Sequence, residues 1–255
     1  MAKTLLVANW KMHFTTGEAS LFLHKLQEKI TAYRDTEVVL CPNLLTLQSL
    51  SLQIDRRKFK LGAQNCHFQD EGAFTGEISA TMLRGLVDYV LVGHSERRHI
   101  FGENDKLIAH KVQAVVRNGM RPILCIGETK HERANNETAH AIHAQVTAGL
   151  ANVTSEEMEK VIIAYEPVWA IGTGDFAKAD DAVQAIKMAR KHIEALFGKE
   201  VSTKVPMLYG GSVDADNAGG YLAAEGVDGL LIGGASLKAD VMAKIVKRAH
   251  ELQTV

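Results

Sequence analysis

The chain has 255 residues, 46% of them hydrophobic and 23% charged, which is ordinary for a globular protein and long enough to bury a sizeable core. Its formal net charge of -1 gives no basic field for nucleic acid or anionic lipid, so neither is expected as a partner and any anion site has to be local. The three cysteines, Cys41, Cys66 and Cys125, are scattered and lack a CxxC spacing, which speaks against a disulfide framework or a structural zinc site.

Residues 5–8 form the first short apolar run. It is too short for a signal-peptide core, and no apolar stretch approaches the roughly 18 residues of a membrane span. A reducing, cytoplasmic setting is expected, with no membrane partner. Similar runs follow at 38–41, 60–64, 89–92, 122–126, 161–165, 205–209 and 229–232. Short, continuous and rich in Val, Ile and Leu, they have the pattern of strands buried on both faces.

Helical stripes lie between the runs. Phe22, Leu26, Ile30 and Tyr33 mark one; Val183, Ile186, Ile193 and Phe197 mark another, interrupted by Arg190; Val241, Ile245 and Ala249 mark the last. Eight strand–helix units with no break in composition predict an α/β fold, a closed (β/α)8 barrel forming a single domain over residues 1–255. An open doubly wound sheet would usually carry GxGxxG after its first strand, where this chain has Asn9-Trp10-Lys11.

In such a barrel the chemistry sits just past the carboxyl ends of the strands. After the first run, Lys11 offers a compact cation and Asn9 an amide, suited to attracting a phosphate and stabilising a developing oxyanion. After the fourth comes Gly93-His94-Ser95-Glu96-Arg97-Arg98, which reads as a helix start. The positive end of that helix disfavours protonation, so His94 is expected to stay neutral and to donate to a substrate carbonyl. Glu96 and the two arginines read as an ion-pair cluster.

Glu166 directly follows the sixth run. Pro167 and a partly apolar stretch with Gly172 and Gly174 come next, with the look of a lid that would exclude water from a carboxylate base. After the seventh run comes Gly210-Gly211-Ser212, and after the eighth Gly233-Gly234-Ala235-Ser236. Paired glycines let backbone N–H groups approach an anion closely, and barrels commonly bind phosphate from these two loops, with a short helix start adding its dipole. Glu166 is therefore expected to be the catalytic base of an enzyme that moves a proton on a small phosphorylated carbonyl compound. His140 and His143 lie at helical spacing away from the strand ends, and no metal site is expected there. Segment 65–79, with Phe68 and Phe74, is too long and apolar for a free loop and is expected to dock on a partner subunit.

The chain resembles the triosephosphate isomerase family from end to end. The matching stretches are Asn9-Trp10-Lys11-Met12, Gly72-Ala73-Phe74-Thr75-Gly76-Glu77-Ile78-Ser79, residues 93–98, Cys125-Ile126-Gly127-Glu128, and residues 164–174, 209–213 and 233–237. The resemblance implies interconversion of dihydroxyacetone phosphate and D-glyceraldehyde 3-phosphate, in glycolysis and gluconeogenesis. It implies Glu166 as base, neutral His94 as electrophile, and Lys11 with Asn9 stabilising the enediolate, as is established for this family. It further implies that backbone N–H groups of Gly172, Ser212, Gly233 and Gly234 hold the phosphate, and that no metal or cofactor is needed. A homodimer is implied too, with the segment around Thr75 reaching the neighbour's Lys11 and His94.

One stretch departs from the family. Where a basic or polar pair and then Ala, Thr and Pro are common, this chain reads Asp175-Phe176-Ala177-Lys178-Ala179, and Asp175 is expected to point away from the phosphate. Other barrel enzymes fit less well. A Schiff-base aldolase needs a lysine deep on a strand, and the runs offer only Lys60, near the start of its run. A metal aldolase needs His and Asp clustered at strand ends, and a barrel that only binds ligand would be expected to lack Glu166 or His94.

Overall fold

The computed structural model describes residues 3–170 and 177–254. Eight parallel strands close into a barrel in chain order. They are β1 (Thr4–Asn9), β2 (Thr36–Cys41), β3 (Phe59–Ala63), β4 (Tyr89–Val92), β5 (Arg121–Ile126), β6 (Ile162–Tyr165), β7 (Met207–Tyr209) and β8 (Gly229–Ile232). The helices outside the ring are α1 (Thr16–Lys29), α2 (Leu44–Ser51), α3 (Ala80–Leu83), α4 (Ser95–His99), α5 (Asp105–Arg117) and α6 (Lys130–Ala134). They continue with α7 (Thr138–Gly149), α8 (Ala179–Phe197), α9 (Lys199–Lys204), α10 (Ala218–Leu222) and α11 (Ala239–Gln253).

The continuous apolar runs have a direct structural cause. Successive side chains of a strand point to opposite faces. Leu5, Val7, Val39, Leu91, Ile123, Ile162 and Leu208 belong to a cluster that fills the barrel. Their neighbours Leu6, Ala8, Val38, Leu40, Val90, Val92 and Leu124 belong to the larger cluster beneath the helices. Both faces are buried, so no polar residue alternates. The ring is sealed between β8 and β1, where Leu5 to Ala8 register with Gly229 to Ile232. Glycine is required there, because a Cβ at Gly229 would lie 1.9 Å from the Leu5 carbonyl oxygen.

The sequence places the strands well and their ends less so. β7 begins at Met207 rather than at residue 205. Pro206 carries no N–H for the ladder, which delays pairing until the next residue. β3 ends at Ala63, and Gln64 leaves the ladder to donate through Nε2 to the carbonyls of Lys11 at 2.8 Å and Cys41 at 2.9 Å. Among the described residues, no helix is long and apolar enough to cross a membrane.

Candidate active site

A cavity of about 370 Å3 opens at the carboxyl ends of the strands. Asn9, Lys11, His94, Glu166, Ser212, Gly233 and Gly234 all line it, so seven residues singled out in the sequence meet in one place. Gly172 and Asp175 lie outside the described residues, as does most of the expected lid.

Lys11 has a φ of 51°, an uncommon conformation for a residue with a side chain. Such a residue costs on the order of 1–3 kcal/mol and persists only when its surroundings hold it. Here Gln64 holds its carbonyl and Asn9 Oδ1 accepts its N–H at 3.0 Å. That commits the Asn9 oxygen and leaves its NH2 arm as the one able to donate. Lys11 Nζ lies 2.6 Å from Glu96 Oε1. The expected cluster of Glu96 with the two arginines is therefore divided. Arg97 pairs with Glu103, Arg98 pairs with Asp105 and donates to the carbonyls of Gly93 and Cys125, and Glu96 turns to Lys11 instead.

His94 caps α4, and its Nδ1 accepts the N–H of Glu96 at 3.2 Å. An accepting Nδ1 places the ring proton of a neutral imidazole on Nε2. Nε2 lies 3.0 Å from Glu166 Oε1, and the N–H of Ser95 donates to Glu166 Oε2 at 2.9 Å. Glu166 and His94 are both almost wholly buried. Burial pushes the Glu166 carboxyl up, but His94, the Ser95 N–H and Lys11 together hold it below the ordinary glutamate value. For His94, burial pulls downward, while the Glu166 carboxylate in contact and the nearby Glu96 together leave the ring above its ordinary value. The carboxylate of Glu166 acts on this ring alongside the helix start that the sequence points to. A second ring proton would still displace the Glu96 N–H from Nδ1.

The opposite wall is backbone. Among the described residues, the N–H groups of Gly211, Ser212 and Gly233 donate to no acceptor. Ser212 is held by Asn217, whose Nδ2 donates to its carbonyl at 3.1 Å. After Gly233 the short helix start expected from the sequence is a 3-10 turn, Gly234–Leu237. Three unpaired donors beside Lys11 form a concave site suited to an oxyanion.

The match of known proteins to this chain is equally extensive. The family model for triosephosphate isomerase matches residues 4–249. The chain belongs to the triosephosphate isomerase family. It is 44% identical over 247 residues to the triosephosphate isomerase of Clostridium perfringens (strain SM101 / Type A), covering 96% of this chain and 99% of that protein. It is 44% identical over 248 residues to that of Carboxydothermus hydrogenoformans, covering 97% and 99%, and 45% identical over 247 residues to that of Roseiflexus sp. (strain RS-1), covering 96% and 97%.

The sequence left some residues of this triosephosphate isomerase-type site without a role. Gln64, which holds Lys11, closes an apolar run in the sequence and stands just past the end of β3. Glu128 was part of a matching motif and nothing more. It is fully buried and accepts from Trp169 Nε1 at 2.9 Å and from the Tyr165 hydroxyl at 3.1 Å, so it fixes the chain on both sides of Glu166. Arg133 completes this hub, with Nη1 3.4 Å from Glu128 and its guanidinium over the Trp169 ring.

Proposed function

We propose that the protein interconverts dihydroxyacetone phosphate and D-glyceraldehyde 3-phosphate by proton transfer through an enediolate, the activity of its family in glycolysis and gluconeogenesis. One observation carries this reading. A buried carboxylate and an imidazole whose Nε2 meets it face, across one small cavity, three unpaired backbone N–H groups and a lysine.

The backbone donors of Ser212 and Gly233, with Gly234 and Gly172, hold the phosphate, and Lys11 adds its charge. At rest Glu166 is a weak base, because His94 and the Ser95 N–H stabilise its charge. A bound triose takes over the His94 Nε2–H through its carbonyl oxygen. Glu166 then moves off His94 and gains basicity. It removes the proton from the carbon next to the carbonyl. The C–H electron pair becomes the enediolate double bond, and the carbonyl electron pair moves onto oxygen, where His94, Lys11 and the Asn9 NH2 stabilise it. His94 passes a proton between the two oxygens, and Glu166 returns its proton to the neighbouring carbon. Glu96 acts in support, positioning Lys11 and His94. Incubation with glyceraldehyde 3-phosphate in deuterated water is expected to yield dihydroxyacetone phosphate with deuterium on carbon. Absence of both isomerisation and exchange would remove the proposal.

Residues 1–255 are proposed as one domain, working in the cytoplasm, and the working form as a homodimer. Thr75 and its exposed neighbours lie outside the cavity of their own chain. Next to that cavity is a groove of about 250 Å3, lined by Asn9, Lys11 and His94 together with Met12, Leu44 and Phe101, whose apolar side chains are well exposed. Segment 65–79 of one copy, led by Phe74 and Thr75, fills this groove on the other and buries both apolar surfaces. Sedimentation velocity at micromolar concentration is expected to show a dimer of twice the 27.9 kDa chain mass. A stable monomer would overturn the docking role of the segment.

A further inference from the structure

Tyr221 takes no part in the steps above, yet it is buried and fully bonded. It lies on α10, shortly after the turn at Gly210, Gly211 and Ser212. Its hydroxyl donates to the carbonyl of Ala177 at 2.6 Å. Tyr209, the last residue of β7, donates its own hydroxyl to the Tyr221 oxygen at 3.4 Å. The two rings stack with centroids 4.0 Å apart and planes 21° from parallel. The Tyr209 phenol in turn occupies the space where a Gly211 side chain would begin. A Cβ at Gly211 would lie 2.1 Å from the Tyr209 oxygen and 3.1 Å from Pro167. That phenol therefore packs directly against the Gly211 backbone and close to the residue after Glu166.

We propose that Tyr221 is a positioning residue for the phosphate end of the site, acting through Tyr209 to fix the Gly211 and Ser212 backbone N–H groups. The inference rests on the isomerase reading above and deepens it. The two hydroxyls form a chain of defined direction, Tyr209 to Tyr221 to Ala177. Both phenols are shielded from water, so an unmade bond is not replaced by solvent. Without the Tyr221 hydroxyl, the buried Tyr209 hydroxyl loses its acceptor and the Ala177 carbonyl loses its donor. The phenol is then free to turn, and the Gly211 peptide resting on it shifts. A hydrogen bond to phosphate weakens steeply with distance and angle, so a small shift is enough. Glu166 and His94 are held by Ser95 and Glu96, on the other side of the cavity, and keep their geometry.

The test is Tyr221→Phe, which keeps the ring and its stack and removes only the hydroxyl. Four quantities are measured against the parent: KM and kcat for glyceraldehyde 3-phosphate, the inhibition constant of inorganic phosphate, and kcat/KM for phosphate-free D-glyceraldehyde. KM and the phosphate inhibition constant are expected to rise by about 3–10-fold, as for one hydrogen bond lost, while kcat stays within about twofold and turnover of D-glyceraldehyde is unchanged. Unchanged KM and phosphate inhibition would overturn the proposal, and so would an equal loss on both substrates, the mark of general destabilisation. A double variant with Tyr209→Phe is expected to lose no more than Tyr209→Phe alone, because one residue acts through the other; additive losses would refute that coupling. The reading of the site itself is tested separately, by turnover of glyceraldehyde 3-phosphate in the parent protein.

Discussion

Glu166→Gln is expected to lower kcat by on the order of 10²–10⁴, with KM for glyceraldehyde 3-phosphate changed far less. The substitution is nearly isosteric. The amide oxygen still accepts the Ser95 N–H, which Glu166 Oε2 now receives at 2.9 Å. What disappears is the lone pair basic enough to take a proton from carbon. The backbone donors at Ser212 and Gly233, proposed to hold the phosphate, stand on the opposite wall and are untouched. Binding therefore survives while chemistry fails, and exchange of the substrate's carbon-bound hydrogen with solvent falls in parallel with kcat. Steady-state kinetics with the purified variant decides the matter. Turnover equal to the parent's would show that another group is the base.

Gly127→Ala is expected to damage the site from behind. A Cβ at this position would lie 1.7 Å from the carbonyl oxygen of Glu166 and 2.6 Å from its carbonyl carbon. No rotamer relieves a clash between two backbones. β5 and β6 must move apart just where the Glu166 N–H donates to the Ile126 carbonyl at 2.7 Å. Overpacking of this kind costs about 1–3 kcal/mol, and a 1 Å misplacement of a catalytic group costs on the order of 10²-fold in rate. Thermal unfolding should thus show a midpoint lowered by several degrees, and kinetics a loss concentrated in kcat. Gly17→Ala serves as the control. No atom lies within 4 Å of a Cβ there, so neither stability nor rate should fall. If Gly127→Ala matched that control, the tight approach of the two strands would not govern Glu166.

Much of this was legible in the sequence because burial on both faces forces an unbroken apolar run. The run at 89–92 coincides with β4 and that at 229–232 with β8. The rule that chemistry follows strand ends then located Asn9, Lys11, His94, Glu166 and the glycine pairs, since each is a local feature of the chain. Contacts across the ring were another matter. Glu96 is two residues from His94 and one from Arg97, and nothing local reveals that it turns to Lys11, 85 positions earlier. The contact at His94 is hidden for the same reason, because the Glu166 carboxylate that meets its Nε2 arrives from the end of β6. The left-handed backbone of Lys11 was invisible as well. It depends on Gln64, a residue that only barrel closure brings into place.

The seam between β8 and β1 has a consequence for how the molecule is made. The donors at Gly233 and the cation at Lys11 belong to strands that are neighbours in space and separated by almost the whole chain. During synthesis β1 emerges first and has to wait for residues 229–232 before its second side is paired. Until then it presents an open edge to other nascent chains, and no fragment lacking the last strand brings Gly233 beside Lys11 in the cavity. Enzymatic activity therefore appears only once the final strand has left the ribosome. A stall in translation before that point leaves an inert, aggregation-prone intermediate rather than a weakened enzyme.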